Sequence, residues 1–309
     1  MGCDPVDHPP GSLDRDHAAA GAYWRCRAAA RGDTLSRGGG AAETMSMIPD
    51  QDLIDLAHHL ADASGAVLRR YYRAEIDADD KDDGSPVTIA DREAEAVMRE
   101  LLAARAPDHG VVGEELGRTR DDAEIVWVLD PIDGTKAFIT GKPLFTTLIG
   151  VLFRGQPVLG LIDQPVVGDR WVGAVGRATV LGSRPVRTRD AASLARARLS
   201  TTGPQYFDAA SKRAFDRVAA RARLVTYGGD GYQYGLVASG GLDLVIESGL
   251  KLHDFAALVA VVEGAGGVIT DWHGRPLDAA SDGSVLAAGD PRVHAEAQRL
   301  LAEDGGSGA

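Results

Sequence analysis

The chain has 309 residues, 44% of them hydrophobic, enough for a sizeable core in one large domain or two tightly joined halves. A formal net charge of −12 and the lack of a basic patch argue against a nucleic-acid partner. Cys3 and Cys26 are the only cysteines, so neither a disulfide framework nor a CxxC zinc pair exists, and no run of ~18 apolar residues marks a membrane span.

Residues 1–46 are rich in Ala, Gly, Arg and Asp, with no apolar periodicity. They read as a disordered or non-native extension, with a start near Met45 or Met47. The first residues lack the compact apolar stretch of a signal peptide, so cytoplasmic residence is expected. Leu53, Ile54, Leu56, Ala57, Leu60 and Val67 keep helical spacing across about 50–73. His58 and His59 on that helix read as surface residues. A polar loop, 77–85, leads to a second helix over about 90–105. Strands are predicted at 110–113, 125–129, 147–152, 158–162 and 170–175. After about residue 180, helices at 206–221, 231–239, 254–264 and 291–303 alternate with strands at 223–226, 242–247, 267–270 and 284–288. That alternation predicts a layered α/β fold. Two halves are expected, 47–180 with most of the chemistry and 181–303 with substrate contacts, followed by a frayed tail at 304–309.

The sharpest motif is Val128-Leu129-Asp130-Pro131-Ile132-Asp133-Gly134-Thr135. A hydrophobic strand runs into two carboxylates flanking a proline. Pro131 has no N–H for the ladder, so the strand is expected to stop there. Asp130 and Asp133 can then face one point, with the Ile132 carbonyl beside them. Carboxylates and a carbonyl are the hard oxygen donors that Mg²⁺ prefers. Gly134 allows a tight backbone, and Thr135 with Lys136 can open a short helix whose N–H groups suit a phosphate. The plain alternative is a capped Asp-Gly turn. Three further acidic element ends stand out: Gly113-Glu114-Glu115 after a strand, His253-Asp254 at the head of an apolar helix, and Asp91, which precedes the second helix in Ser85-Pro86-Val87-Thr88-Ile89-Ala90-Asp91. Four such ends are more than caps require.

Together these motifs, with Glu263-Gly264-Ala265-Gly266-Gly267, resemble the inositol monophosphatase superfamily of lithium-sensitive metal phosphatases over about residues 48–303. The resemblance implies an αβαβα sandwich, like that of the inositol monophosphatases and fructose bisphosphatases, and a homodimer. It implies two or three Mg²⁺ per site: Glu114, Asp130 and the Ile132 carbonyl on one, Asp130, Asp133 and Asp254 on a second, Asp91 with Glu114 on a third. Catalysis would rest on Glu114, Thr135 and Asp91, the phosphate on Gly134 and Thr135, and the substrate also on Asp133 and Asp254. A loop residue such as Lys81 would close over the metals. His253 stands where many members carry Trp.

Within the superfamily, Asp133 to Pro143, Gly160 to Pro165, Val245 to Lys251 and Glu263 to Trp272 resemble the histidinol-phosphate phosphatases of histidine biosynthesis. Asp230, in Tyr227-Gly228-Gly229-Asp230-Gly231-Tyr232, stands where inositol-type enzymes carry a small residue. Paired with Glu247 it would suit a cationic alcohol such as histidinol. The alternative is that Asp230 only caps the next helix. Tyr232 and Tyr234 could line the pocket, but tyrosines near a helix start are more often packing residues. The competing activities are an inositol-1-monophosphatase or a broad sugar or nucleotide phosphatase; a non-catalytic phosphate-ligand binding protein is a more distant alternative.

Overall fold

The computed structural model describes residues 47–75, 77–80 and 86–303, within one unit, Met45–Ala309. The extension 1–46, the tail 304–309 and Lys81 lie outside the described residues. Asp50 starts the first helix, α1 (Gln51–Tyr71), by accepting the Leu53 N–H at 2.9 Å. β1 (Ala78–Asp80) pairs antiparallel with β2 (Pro86–Thr88), which feeds α2 (Ile89–Arg105). Next come β3 (Gly110–Gly113), β4 (Arg118–Thr119), β5 (Ile125–Asp133), the one-turn α3 (Thr135–Ile139), β6 (Thr146–Phe153), β7 (Gln156–Gln164), β8 (Asp169–Ala174), β9 (Val180–Leu181) and β10 (Arg184–Pro185). These eight strands, from β3 onward, form one sheet in the order β10-β9-β8-β7-β6-β5-β3-β4, with β3 and β5 parallel.

The second sheet begins at β11 (Arg198–Thr201). It continues through α4 (Ala209–Ala219), β12 (Leu224–Tyr227), α5 (Tyr232–Ala238), β13 (Leu244–Glu247), α6 (Leu252–Gly264), β14 (Val268–Thr270), β15 (Val285–Ala288) and α7 (Pro291–Ala302). Its order is β12-β11-β13-β15-β14. Leu53, Ala57 and Leu60 of α1 and Met98 of α2 pack on Trp127, Leu129 and Ile149 of the large sheet. Phe255, Leu258 and Val262 of α6 fill the space between the sheets, against Leu148 and Ile162 on one side and Val245 and Val285 on the other. Phe215 of α4 and Leu300 of α7 cover the outer face of the small sheet. The result is the αβαβα sandwich. Each fully buried Leu, Val or Phe contributes about 1.5–3 kcal/mol. Among the described residues no helix is long and apolar enough to cross a membrane.

α6 is apolar on every side, as a helix enclosed by two sheets must be. Its seat is a row of glycines. Gly150 on β6, Gly160 on β7 and Gly173 on β8 face one another in register. A methyl group on Gly160 would overlap the Ala257 carbonyl, and one on Gly173 would overlap the Ala260 carbonyl. The helix backbone therefore lies directly on the sheet backbone, which side chains at these positions would forbid.

Several expectations change. β5 does not stop at Pro131; it runs on to Asp133, and only its pairing with β6 breaks, between Asp130 and Asp133. The proline withdraws one donor, and Thr147 Oγ1 donates to the Pro131 carbonyl at 2.9 Å in the irregular stretch. Asp91 does not precede α2 and Asp254 does not cap α6. Each is the third residue of its helix, and the cap positions are Thr88 and Lys251. The helix expected over 206–221 begins at Ala209 because Asp208 caps it. The strands β1, β2, β4, β9, β10 and β11 had no sequence-based counterpart.

Asp243, at the foot of β13, locks the small sheet. Its fully buried carboxylate accepts Arg189 Nε at 2.8 Å, the Arg198 N–H at 2.7 Å and Arg198 Nε at 3.1 Å. Burial alone would raise its pKa, but these donors outweigh burial and hold it below its ordinary value of 3.8. A depressed carboxylate stabilises the fold above its unfolded pKa, and the contribution fades as pH falls through the folded value. Asp243→Asn is expected to cost about 2–4 kcal/mol at pH 7, with the gap to wild type closing below pH 3.8. Urea melts at pH 7 and at pH 3 check both parts; a pH-independent gap would refute the ion-pair account.

Candidate active site

Five segments deliver acids to one cleft. β5 delivers Asp130 and Asp133, the turn after β3 delivers Glu114, the start of α6 delivers Asp254, and the ends of β13 and α5 deliver Glu247 and Asp230. The cleft has a volume of about 280 Å³, and Ile132, Gly134, Thr135, Lys136, Tyr206, Lys251 and His253 also line it. One carboxylate oxygen from each of Asp130, Asp133 and Asp254 lies within 4.8 Å of the others. The sequence-based pairing of these three is therefore met in space.

Asp91 and Asp254 share a local design. Asp91 Oδ2 accepts the Thr88 N–H at 2.7 Å and the Thr88 hydroxyl at 2.6 Å, while Thr88 Oγ1 accepts the Ala90 N–H at 3.1 Å. Asp254 Oδ2 accepts the Lys251 N–H at 2.6 Å. In both, the N–H of the cap residue occupies one oxygen of the acid; only at Asp91 is the capping reciprocal, through the Thr88 hydroxyl. Asp91 Oδ1 is left buried with no partner, and His253 Nε2 stands 3.5 Å from Asp254 Oδ1. Asp91 does not itself line the cleft; it lies behind Glu114 and Glu115, whose charges act on it.

Electrostatics single out the same group. Burial first, then Glu114, Asp133 and Asp254, pushes the Asp130 carboxyl well above its usual range. Burial, Asp230 and Asp254 do the same to Asp133, against the pull of the Gly231 N–H that Asp133 accepts. Burial raises Asp91 to about 6 and also raises Asp254. Buried like charges at this density call for cations. The residues fit a hard divalent ion. All donors are oxygens, three carboxylates converge, and Asp130 Oδ1 is a second buried oxygen with no partner. The Ile132 carbonyl accepts the Thr135 hydroxyl at 3.1 Å and keeps a second lone pair.

Asp230 does not cap α5, whose first turn has no side-chain cap. It sits in the left-handed region, φ 41°, and its carboxylate packs on Gly134, where a methyl group would come within 2.8 Å of Oδ2. Burial and Asp254 raise it to about 6, against the pull of Lys136. Glu247 is raised to about 7 by burial. Its Oε1 accepts the Thr202 N–H at 2.5 Å and Gln233 Nε2 at 2.8 Å, so half of this carboxylate is engaged within the protein.

Sequence reasoning missed Tyr206 in the cleft and Gln233 behind it, and gave Tyr234 too little weight. Tyr234, read as packing, is buried and lines the cleft, and its hydroxyl has no partner. Tyr206 closes the rim, accepting Lys136 Nζ at 2.8 Å. Gln233 braces Glu247. The paired Tyr spacing 232/234 at a helix start was the one available signal; Tyr206 and Gln233 offered none.

The profile of the inositol monophosphatase family matches residues 50–304. A bifunctional phosphatase, IMPL2, of the chloroplast of Arabidopsis thaliana is 49% identical over 84% of this chain and 78% of its own. A histidinol-phosphatase of Chlorobaculum parvum is 33% identical over 78% of this chain and 93% of its own. The solved structure of an inositol monophosphatase from Zymomonas mobilis is 46% identical, covers 81% of this chain and 98% of its own, and superposes with a TM-score of 0.76. Members of this family are metal-dependent, typically with Mg²⁺, and this chain gathers Asp130, Asp133 and Asp254 into one acidic cluster. The chain belongs to the inositol monophosphatase family and is a hydrolase of phosphate monoesters.

Proposed function

We propose that the chain is a Mg²⁺-dependent histidinol-phosphate phosphatase, releasing histidinol in histidine biosynthesis. The observation that carries this reading is a second pair of acids, Asp230 and Glu247, which line the same cleft as the converging carboxylates, with the Asp230 charge acting on Glu247. An inositol ring offers only hydroxyls, whereas histidinol offers an ammonium that two acids bind by charge-assisted bonds. The Chlorobaculum relative, named a histidinol-phosphatase, agrees with it.

In this reading Glu114, Asp130 and the Ile132 carbonyl hold one ion, Asp130, Asp133 and Asp254 a second, and Asp91 with Glu114 a third. Bound there, the ions supply Lewis-acid polarisation of the phosphoryl oxygens and of the attacking water. Glu114 would take up a proton of that water as its oxygen bonds to phosphorus and return it to the histidinol oxygen as the ester P–O bond breaks, while Thr135, whose hydroxyl donates to the Ile132 carbonyl, would fix the approach of the water. The N–H groups of Gly134 and Thr135 hold the phosphate oxygens, and Lys136 adds positive charge at the rim. Asp230 and Glu247 hold the ammonium and align the scissile bond. A homodimer and cytoplasmic residence complete the reading, as the family resemblance implies. The second reading is an inositol-1-monophosphatase, which the Zymomonas relative favours.

Asp130→Asn should lower phosphate release by ~10³-fold or more, and EDTA should abolish it in wild type. Because the substitution removes one buried like charge, the melting temperature in EDTA should hold or rise. Retained turnover in this variant would remove Asp130 from the site. For the substrate, Asp230→Asn should raise KM for histidinol phosphate by ~10–100-fold, the loss of one charged hydrogen bond, while turnover of inositol 1-phosphate stays within about threefold. Wild-type kcat/KM higher for inositol 1-phosphate than for histidinol phosphate would reverse the order of the two readings.

A further inference from the structure

We propose that Glu95 is a positioning residue for Glu114, setting the affinity of the site for its divalent ion. The inference rests on Glu114 being a metal ligand, as proposed above.

Glu95 lies one helical turn after Asp91 on α2, with no solvent exposure. Its two oxygens serve the turn that follows β3. Oε2 accepts the Glu115 N–H at 2.7 Å, and Oε1 accepts the Leu116 N–H at 3.2 Å. The other two N–H groups of that turn are also engaged: Gly113 donates to the Gly117 carbonyl at 2.9 Å and Glu114 to the Leu129 carbonyl at 3.1 Å. Four consecutive backbone donors are thus fixed, two by β-type partners and two by one side chain. Glu114 lies between them, tied to the residue that precedes Asp130.

Two further features show that the space is made for this carboxylate. A methyl group on Gly113 would overlap the Glu95 Oε1 atom, so only glycine admits it. Arg99, on the next turn of α2, donates its Nε to Glu95 Oε1 at 2.7 Å and also reaches the Gly117 carbonyl. The guanidinium therefore compensates the buried charge and clamps the far end of the same turn. An ordinary structural acid needs one partner; this one spans a five-residue turn from which one carboxylate, Glu114, lines the cleft. Outer residues that orient metal ligands alter affinity by about 10–100-fold.

Glu95→Gln tests it. The amide keeps an acceptor for one N–H and turns a donor towards another, so the turn loosens beside Glu114. Mn²⁺ binding, followed by its electron paramagnetic resonance signal, is compared in wild type, Glu114→Gln, Glu95→Gln and Arg99→Lys. The expected result is a dissociation constant about 10-fold higher for Glu95→Gln, a smaller rise for Arg99→Lys, and a matching rise in the Mg²⁺ half-saturation of turnover with KM for substrate unchanged. Equal Mn²⁺ affinity for wild type and every folded Glu95 or Arg99 variant, with only a lowered melting temperature, overturns the inference. If Glu95→Gln does not fold, Arg99→Lys, which keeps the charge but loses the fork onto Gly117, decides by the same readout. Equal affinity in Glu114→Gln would instead sink the ligand assignment on which the inference rests.

Discussion

The seating of α6 on bare sheet backbone is the constraint from which the site follows. Gly150, Gly160 and Gly173 align across three strands, and the helix settles onto them at a separation no side chain permits. The same sheet carries Asp130 and Asp133 at the end of β5, and the first turn of α6 carries Asp254. Close packing of helix on sheet therefore becomes close approach of carboxylates. A larger residue in the glycine row would lift α6 and part the acids before it touched any of them. Interiors packed at this density transmit such displacements rather than absorb them.

The second theme is how a protein holds like charges together without neutralising them. Asp91, Asp254 and Glu247 each commit one oxygen to backbone N–H groups: Thr88 for Asp91, Lys251 for Asp254, Thr202 for Glu247. Asp133 does the same with Gly231. These bonds oppose the burial that raises every one of these groups, and they fix which oxygen remains for the cleft. The arrangement is costly to the protein alone, since buried acids with raised pKa values resist ionisation. Bound cations convert that cost into affinity, which is the usual reason such clusters survive in folds.

Some of this was legible in the chain. The Asp130-to-Thr135 motif could be read because a strand, a proline and a Gly turn leave few conformations, and its acids do converge. The layered fold was legible because helices and strands alternate with clear apolar periods after residue 180. Asp91 was misplaced by one element boundary, read as preceding the second helix when it lies within the first turn. The pattern Thr88-x-x-Asp91 is in fact a capping box, in which the hydroxyl caps and the acid is the third residue. For Asp254 no such signal exists, because Lys251 at the cap position is not a capping residue. The continuation of β5 beyond Pro131 was hidden because a proline ends a ladder bond but not the extended backbone. The glycine row and Glu95 were hidden for a deeper reason. Their meaning lies in register and in contacts about 10–20 residues apart or more, and one strand glycine or one helical acid resembles any other.

The cleft also divides its labour between the two sheets. The large sheet, with the turn after β3 and the start of α6, presents Glu114, Asp130, Asp133 and Asp254, where the proposed reading places the phosphate. The small sheet and α5 present Glu247 and Asp230, where that reading places the alcohol, braced by Gln233 and the turn at Thr202. The α5 end reaches across through Asp230, whose left-handed backbone turns its carboxylate onto Gly134. An acid in that conformation is uncommon and carries a backbone cost of order 1 kcal/mol, which binding of a cationic alcohol would offset. In the proposed reading, substitutions at 233, 234 and 247 alter the alcohol that fits, whereas one at 230 also bears on Gly134. That separation gives a physical reason why relatives named for histidinol phosphate and for inositol phosphate share one scaffold.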